Sequence, residues 1–411
     1  MIGSAGGGAP LPPVHDLPMG EHQAGVSVRD SMPRLGVLAL PLTLLTGKPT
    51  AGQRPFRFTP TAHLVNALLS VGGGLLAGWF ALRWSGWALL LLVPCWAMVL
   101  HGIRNLRMMM FHQCAHRNMW NRRRADSALG RFIAALLVIQ GFTAYSREHV
   151  VDHHAVNHMT LRDPTVQAFL LTLRLRPGMS RRDMWRRVLG LLVSPRFHTT
   201  FLIARVRSYA HGSSTRAKVG AVALHGAVAA TAVAADAAVF LLLCWLLPLT
   251  LFFQVSNTLR LCVKHTFPTA DQRDRRGRAY FASLTNAIFI GERAPDRALR
   301  GPRAAAAWAR WWARLLVVHF PARYLVLTGD TVCHDFHHRF PMSREWADYV
   351  FAREADAAAG TPGWPPYRHV WGLVPAIDAV FDSLRVADPA EYDPDRLADV
   401  SNRELFAAFD D

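Results

Sequence analysis

The sequence predicts an all-α membrane protein, made of two transmembrane helical hairpins with a cytoplasmic helical cap that carries its histidine boxes. Three observations lead there. Of the 411 residues, 51% are hydrophobic and only 18% charged, and the mean hydropathy is +0.13. The apolar residues gather in runs long enough to cross a bilayer. The 19 histidines gather in clusters just outside those runs. Length alone would allow two or three soluble domains, but few charges combined with long apolar runs argue for a membrane protein. Collagen-like, disulfide-rich and disordered chains are excluded by the same composition. The five cysteines are odd in number and form no CxxC pair, so they read as reduced thiols rather than a disulfide framework or a zinc motif.

Taken in order, residues 1–30 are rich in Gly and Pro and read as a flexible tail, without the basic start and apolar core of a signal peptide. The run Leu35–Leu45 is interrupted by Pro41 and too short to span, so it is expected to lie on the membrane surface. A first span is predicted from Ala62 to Leu82 and a second from Trp84 to Gly102, each near the roughly 20 residues a bilayer needs. Trp79, Trp84 and Trp87 mark the turn between them as an interface. The stretch Val219–Gln254 is too long for one span and suits two, 219–235 and 237–254. Asp236 marks their turn, because a carboxylate is costly in lipid. Apolar stretches at 128–146, 188–204 and 312–328 contain Arg, His or Pro and read as surface or re-entrant helices. The chain thus divides into a flexible or interfacial segment 1–60, a membrane domain 61–342 and a cytoplasmic C-terminal extension 343–411.

Two hairpins put 1–61, 103–218 and 255–411 on one side. The middle segment carries 20 Lys and Arg against 5 Asp and Glu. By the positive-inside tendency this side is cytoplasmic, which accounts for much of the net charge of +17. A nucleic-acid partner would require a basic face on a soluble domain, and none is visible. The arginine cluster Arg174–Arg187 reads either as a solvated face or as a contact for anionic lipid or an acidic carrier.

The histidine clusters are HQCAH, with His112 and His116; HVVDHH, with His149, His153 and His154, followed by His158; and HDFHH, with His334, His337 and His338. On a helix, residues i, i+3 and i+4 share a face, so each box can aim its rings at one place. Neutral imidazole is a common ligand of zinc and of redox metals. Eight imidazoles are too many for one ion and suit two, with about four each. Chance gives an HxxxH pair about once in such a chain, but a three-histidine box only on the order of 0.04 times. Asp152, Asp163 and Asp335 are candidates to orient rings; each could equally cap a helix. His158, four residues past His154, reads as a ring-orienting or surface residue, with a ligand role as the alternative. His63 and His225 fall in spans and read as buried, hydrogen-bonded side chains, and His101 as interfacial. His198, His211, His319 and His369 have no cluster partner.

The order HxxxH, HxxxHH, HxxHH, set against two hydrophobic hairpins, resembles the membrane fatty acid desaturase/hydroxylase superfamily over about residues 62–342. HHAVNHMTLRDPT (His153–Thr165) resembles its second-box extension, and HDFHHRFP (His334–Pro341) its third box with a trailing Pro. NTLRLCVKH (Asn257–His265) lies where the family often has a further histidine ligand, although Lys264 stands where an acidic residue is usual. Gln113 stands where the first box often has Asp.

The resemblance implies a non-haem diiron centre, two iron ions with O2 as co-substrate, held by His112, His116, His149, His153, His154, His334, His337 and His338, with His265 as a ninth ligand. Ligand type alone does not separate iron from zinc. The implied activity is desaturation of a fatty-acyl chain carried on a lipid or thioester; the alternative is hydroxylation of a lipid or hydrocarbon at the same centre. No nucleotide fingerprint, iron–sulfur motif or fused cytochrome-like segment is visible, so a ferredoxin, rubredoxin or similar donor is implied. Expected localisation is integral, multi-pass, in the plasma (inner) membrane with the boxes cytoplasmic. A non-enzymatic metal transporter is a reading of another class, but transport sites lie near the membrane midplane, and these boxes lie outside the spans.

Overall fold

The computed structural model describes residues 27–34, 36–150, 157–269 and 277–397. The chain is mostly helical. Among the described residues, four helices are long and apolar enough to cross a membrane: α1 (Pro60–Trp84), α2 (Gly86–Ala115), α3 (Thr215–Ala234) and α4 (Ala238–Leu261). Each begins close to where the hydropathy pattern puts a span. Thr59 caps α1 by accepting from the Ala62 amide, with Pro60 at the first helical position. Ser214 caps α3 in the same way. Asp236 sits in the turn between α3 and α4 with φ +52°, and Ser85 and Gly86 turn the chain between α1 and α2, also with positive φ.

The main difference from expectation is the length of α2. Instead of ending at Gly102 it continues through a π-helical turn, Leu106–Phe111, into His112–Ala115. Every residue from Leu106 to Ala115 is buried, so this extension belongs to the protein core. Hydropathy averaging misses it because Arg104, Arg107, His112 and Gln113 interrupt the apolar run.

α1 and α2 lie close together, antiparallel, because glycines remove side chains from their contact. A Cβ added at Gly74 would stand 2.7 Å from Val99 Cγ2 and 2.9 Å from the Cys95 carbonyl oxygen, and one at Gly102 2.6 Å from the Ala67 carbonyl oxygen. Small residues at such contacts are how helices associate where lipid offers no hydrophobic drive. Trp96 ties α2 to α4 by donating to the Leu243 carbonyl at 2.9 Å. The outer faces remain apolar and exposed: Trp87, Leu90, Val222 and Val233 are each more than 60% exposed, a surface suited to lipid. All five cysteines are free and buried.

The arginine-bearing apolar stretches are also helical: Arg123–Leu137 and Phe142–Arg147, then Arg181–Leu192 and Pro195–Gly212, then Gly301–Arg314, which runs on through π turns to Val326. Residues 1–26 of the expected tail lie outside the described residues. Its end is helical, Val28–Ser31, because buried Arg29 donates to the Ala39 and Lys48 carbonyls. The run from 36 to 46 is helical, and its Leu42 packs with Val28, Met32, Trp311 and Leu315. Among the described residues one small sheet departs from the all-α expectation: β1 (Ala287–Phe289) pairs in parallel with β2 (His369–Trp371), Ile288 opposite Val370. The C-terminal helix Leu373–Val386 follows β2.

The glycine contact is open to a direct test. Gly102→Val should destabilise the fold by about 1–3 kcal/mol through overpacking, seen as a lower thermal midpoint in detergent. Gly72→Ala, where an added Cβ meets nothing within 4 Å, should not. Equal midpoints for the two variants would contradict the close approach.

Candidate metal centre

The extension of α2 carries His112, and His116 caps its end one turn later, so both rings leave the same face. The helix Phe142–Arg147 continues as a π turn over 148–150 and delivers His149 to that face. His337 arrives from the helix His334–Arg339. The four rings form one buried cluster, with ligand nitrogens all within 4.8 Å of one another. His112 Nε2 stands 2.8 Å from His337 Nε2, and His149 Nε2 stands 3.1 Å from His116 Nε2. A second buried cluster joins His265, which follows the end of α4, with His334 and His338. In it His338 Nε2 lies 3.1 Å from His334 Nε2. His265 Nδ1 is 3.3 Å from Thr285 Oγ1.

The two clusters are neighbours because the third box supplies both. The His337 ring lies 6.0 Å from that of His334 and 5.8 Å from that of His338. His153 and His154, with Asp152, lie outside the described residues. The structure therefore brings seven of the nine candidate ligands into two groups, four and three.

The donor set fits a metal. Two cis ligands on one ion, with metal–nitrogen bonds of about 2.1 Å, stand about 3 Å apart, which is the spacing found here. A neutral imidazole has one N–H and one lone pair, so a chain of hydrogen bonds could satisfy pairs of rings. It does not explain four rings converging out of water. Imidazole-rich sites suit zinc, iron, copper or nickel.

His158 is buried rather than on the surface. Its ring lies 4.6 Å from that of His265 and 4.9 Å from that of His338. Asp163 stands 3.9 Å from it. Asp163 also accepts from the Met159 and Thr165 amides, capping the short helix Pro164–Gln167. Asp335 grips Arg353 rather than a ring, through contacts of 2.9 and 2.7 Å with both partners 3% exposed. Burial would lower the Arg353 guanidinium, but the charge and hydrogen bonds of Asp335 outweigh it and its pKa moves up. Arg353 and Arg339 both lie under the Tyr367 ring, at 4.4 and 3.5 Å. The segment after the third box thus braces it, a contact no local spacing could reveal. Burial pushes the Asp330 carboxyl up to about 6, against the pull of Arg260 and a hydrogen bond from Gln113. That bond links the first box to the loop before the third.

The lone histidines stay outside both clusters. His63, His101, His198 and His225 each bond a backbone carbonyl, of Ala347, Tyr324, Leu192 and Ala135 respectively. Neither cluster includes His211, His319 or His369. A cavity of about 870 Å³ opens beside His116, lined also by Arg117, Arg123, Arg124, Arg131 and Arg147.

Two outcomes follow. Arg353→Ala leaves the Asp335 charge buried without its partner and should cost about 3–5 kcal/mol, read as unfolding midpoint, whereas exposed Arg344→Ala should stay within about 0.5 kcal/mol. A carboxyl raised in the folded state contributes stability that is whole below about pH 4 and is lost as pH rises through about 6. Metal-free Asp330→Asn should therefore gain on the parent by up to about 3 kcal/mol between pH 4 and 8. A pH-independent difference would contradict that placement.

No curated protein and no solved structure matches the chain. The fatty acid desaturase family model does, over residues 85–371, more than two thirds of the chain and all three histidine boxes. The chain belongs to the fatty acid desaturase family, within the membrane desaturase/hydroxylase superfamily.

Proposed function

We propose that the protein desaturates a fatty-acyl chain, using O2, at a histidine-ligated diiron centre on the cytoplasmic face of the membrane. The observation that carries this reading is the pair of adjacent all-histidine clusters within the family match. His112, His116, His149 and His337 would hold one iron. His265, His334 and His338 would hold the other, and His153 and His154 of the second box would complete the ligand set. When bound, a reduced iron pair supplies the oxidising power to remove hydrogen from an unactivated CH2 with O2.

The chain's own residues supply the rest. Neutral imidazoles donate lone pairs without adding negative charge. The buried walls around them, including Met109, Met110 and Phe111, keep water away. An acyl chain lying between the spans and the histidine layer would be positioned by apolar contact. The arginine-lined cavity beside His116 suits an anionic carrier group or an acidic electron donor such as a ferredoxin or rubredoxin. Residues 61–342 form the catalytic domain in this reading. Residues 1–60 and 343–411 flank it, with the boxes on the cytoplasmic side of a plasma (inner) membrane.

The test is expression in a host of known lipid profile, with product mass spectrometry and metal analysis. The parent should carry two irons per chain and yield new alkenes without label from 18O2. His337→Ala removes one of four nitrogens and should lower product roughly 100-fold or more. Label in the product would move the assignment to hydroxylation. Zinc without O2 consumption would overturn the redox reading.

A further inference from the structure

Arg107 lies in the π-helical turn of α2, ahead of His112. It is fully buried, and among the described residues none of its guanidinium nitrogens has a hydrogen-bond partner. Other buried arginines have clear structural tasks. Arg104 bonds Asn257 and the Val326 carbonyl; Arg205 bonds the Val138 and Leu249 carbonyls; Arg353 pairs with Asp335. Arg107 has instead two aromatic faces. Its guanidinium carbon stands 4.8 Å from the centre of Phe111 and 4.3 Å from that of Tyr145. Tyr145 in turn stacks on His149, ring centres 5.1 Å apart and planes 10° from parallel. His149 belongs to the four-histidine cluster.

An arginine stays charged even when buried, and a desolvated cation without an anion is costly. Aromatic faces recover part of that cost. Packing alone does not call for a charge here, since a methionine would fill the volume. What the charge does accomplish is electrostatic: it fixes a positive centre behind one ring of the cluster, with Tyr145 between.

We propose that Arg107 is a positioning residue for the metal centre, holding Tyr145 against His149 and raising the reduction potential of the ion beside them. This rests on the metal-centre reading above. Reduction adds one electron to that ion, taken from a one-electron donor protein that is oxidised in turn, and lowers the ion's charge by one. A fixed positive charge nearby favours the less positive, reduced form. At a separation of about 12 Å and an effective dielectric constant near 20, one charge shifts such an equilibrium by about tenfold, which for one electron is about 59 mV.

The experiment is a spectroelectrochemical titration of the full-length, iron-loaded protein in detergent, comparing the parent with Arg107→Met, Arg107→Gln and Arg107→Lys. Thermal unfolding of the metal-free forms is measured alongside. Arg107→Met and Arg107→Gln should each lower the midpoint potential by an amount equal to about a tenfold loss of reduced ion. Arg107→Lys keeps the charge and should retain most of the parent's potential. Tyr145→Leu should change the iron spectrum by freeing the His149 ring. If only one neutral variant accumulates, it carries the comparison. An unchanged potential with a lowered unfolding midpoint would make Arg107 structural and overturn the proposal. So would a lysine variant shifted as far as the neutral ones. A parent that binds no redox-active metal would instead sink the metal-centre reading, and is distinguishable because no potential is then measured at all.

Discussion

The constraint on which the rest depends is the closeness of imidazole nitrogens to one another. Within each cluster, pairs of Nε2 atoms approach to 2.8–3.1 Å inside a buried volume. Lone pairs at that range repel unless a proton or a cation lies between them. One proton per neutral ring serves one neighbour, and a metal ion serves all of them. The fold's task is then to bring rings from four distant stretches of chain into two such groups and hold them there. α2 delivers the first box, the helix after Phe142 delivers His149, the end of α4 delivers His265, and the third-box helix joins the two groups. The C-terminal segment locks that last helix through Arg353 and Tyr367.

Much of this was legible in the residues. Charge cost and hydropathy located the four spans, and Asp236 marked a turn because a carboxylate cannot lie cheaply in lipid. Helical spacing identified the boxes. It also held, unread, the split of the third box. At 3.6 residues per turn, His334 and His338 point within about 40° of each other, while His337 points about 100° from His338. One helix therefore faces two clusters, His337 toward one and His334 with His338 toward the other. Other features had no local signal. The pairing of β1 with β2 and of Asp335 with Arg353 depends on the path of the whole chain. The burial of His158 depends on rings of His265 and His338 that arrive from elsewhere. His265 stands alone in sequence, so only likeness to a family pointed to it.

The longer α2 is the clearest case of tertiary context overriding composition. Arginines at 104 and 107 would end a lipid-facing span. Here Arg104 bonds Asn257 of α4 and the Val326 carbonyl, and Arg107 packs against aromatic faces that offset part of its burial cost. With those charges turned inward, the helix continues without entering a new environment. Its π turn inserts one residue's worth of rotation just before His112, a feature found often at functional sites.

That continuity bears on the proposed depth of the centre. From Gly86 to His112 the helix rises about 39 Å at 1.5 Å per residue, against a hydrocarbon core of about 30 Å. If the tryptophans at the α1–α2 turn sit at one interface, His112 lies some 9 Å beyond the other by the same arithmetic. α4, from Ala238 to Leu261, rises about 35 Å by the same arithmetic, and His265 follows its end. Two spanning-length helices thus lead into residues of the two different clusters. Under the proposed function, a layer at that depth would let an acyl chain reach it along an apolar path and would leave its other side open to a water-soluble electron donor.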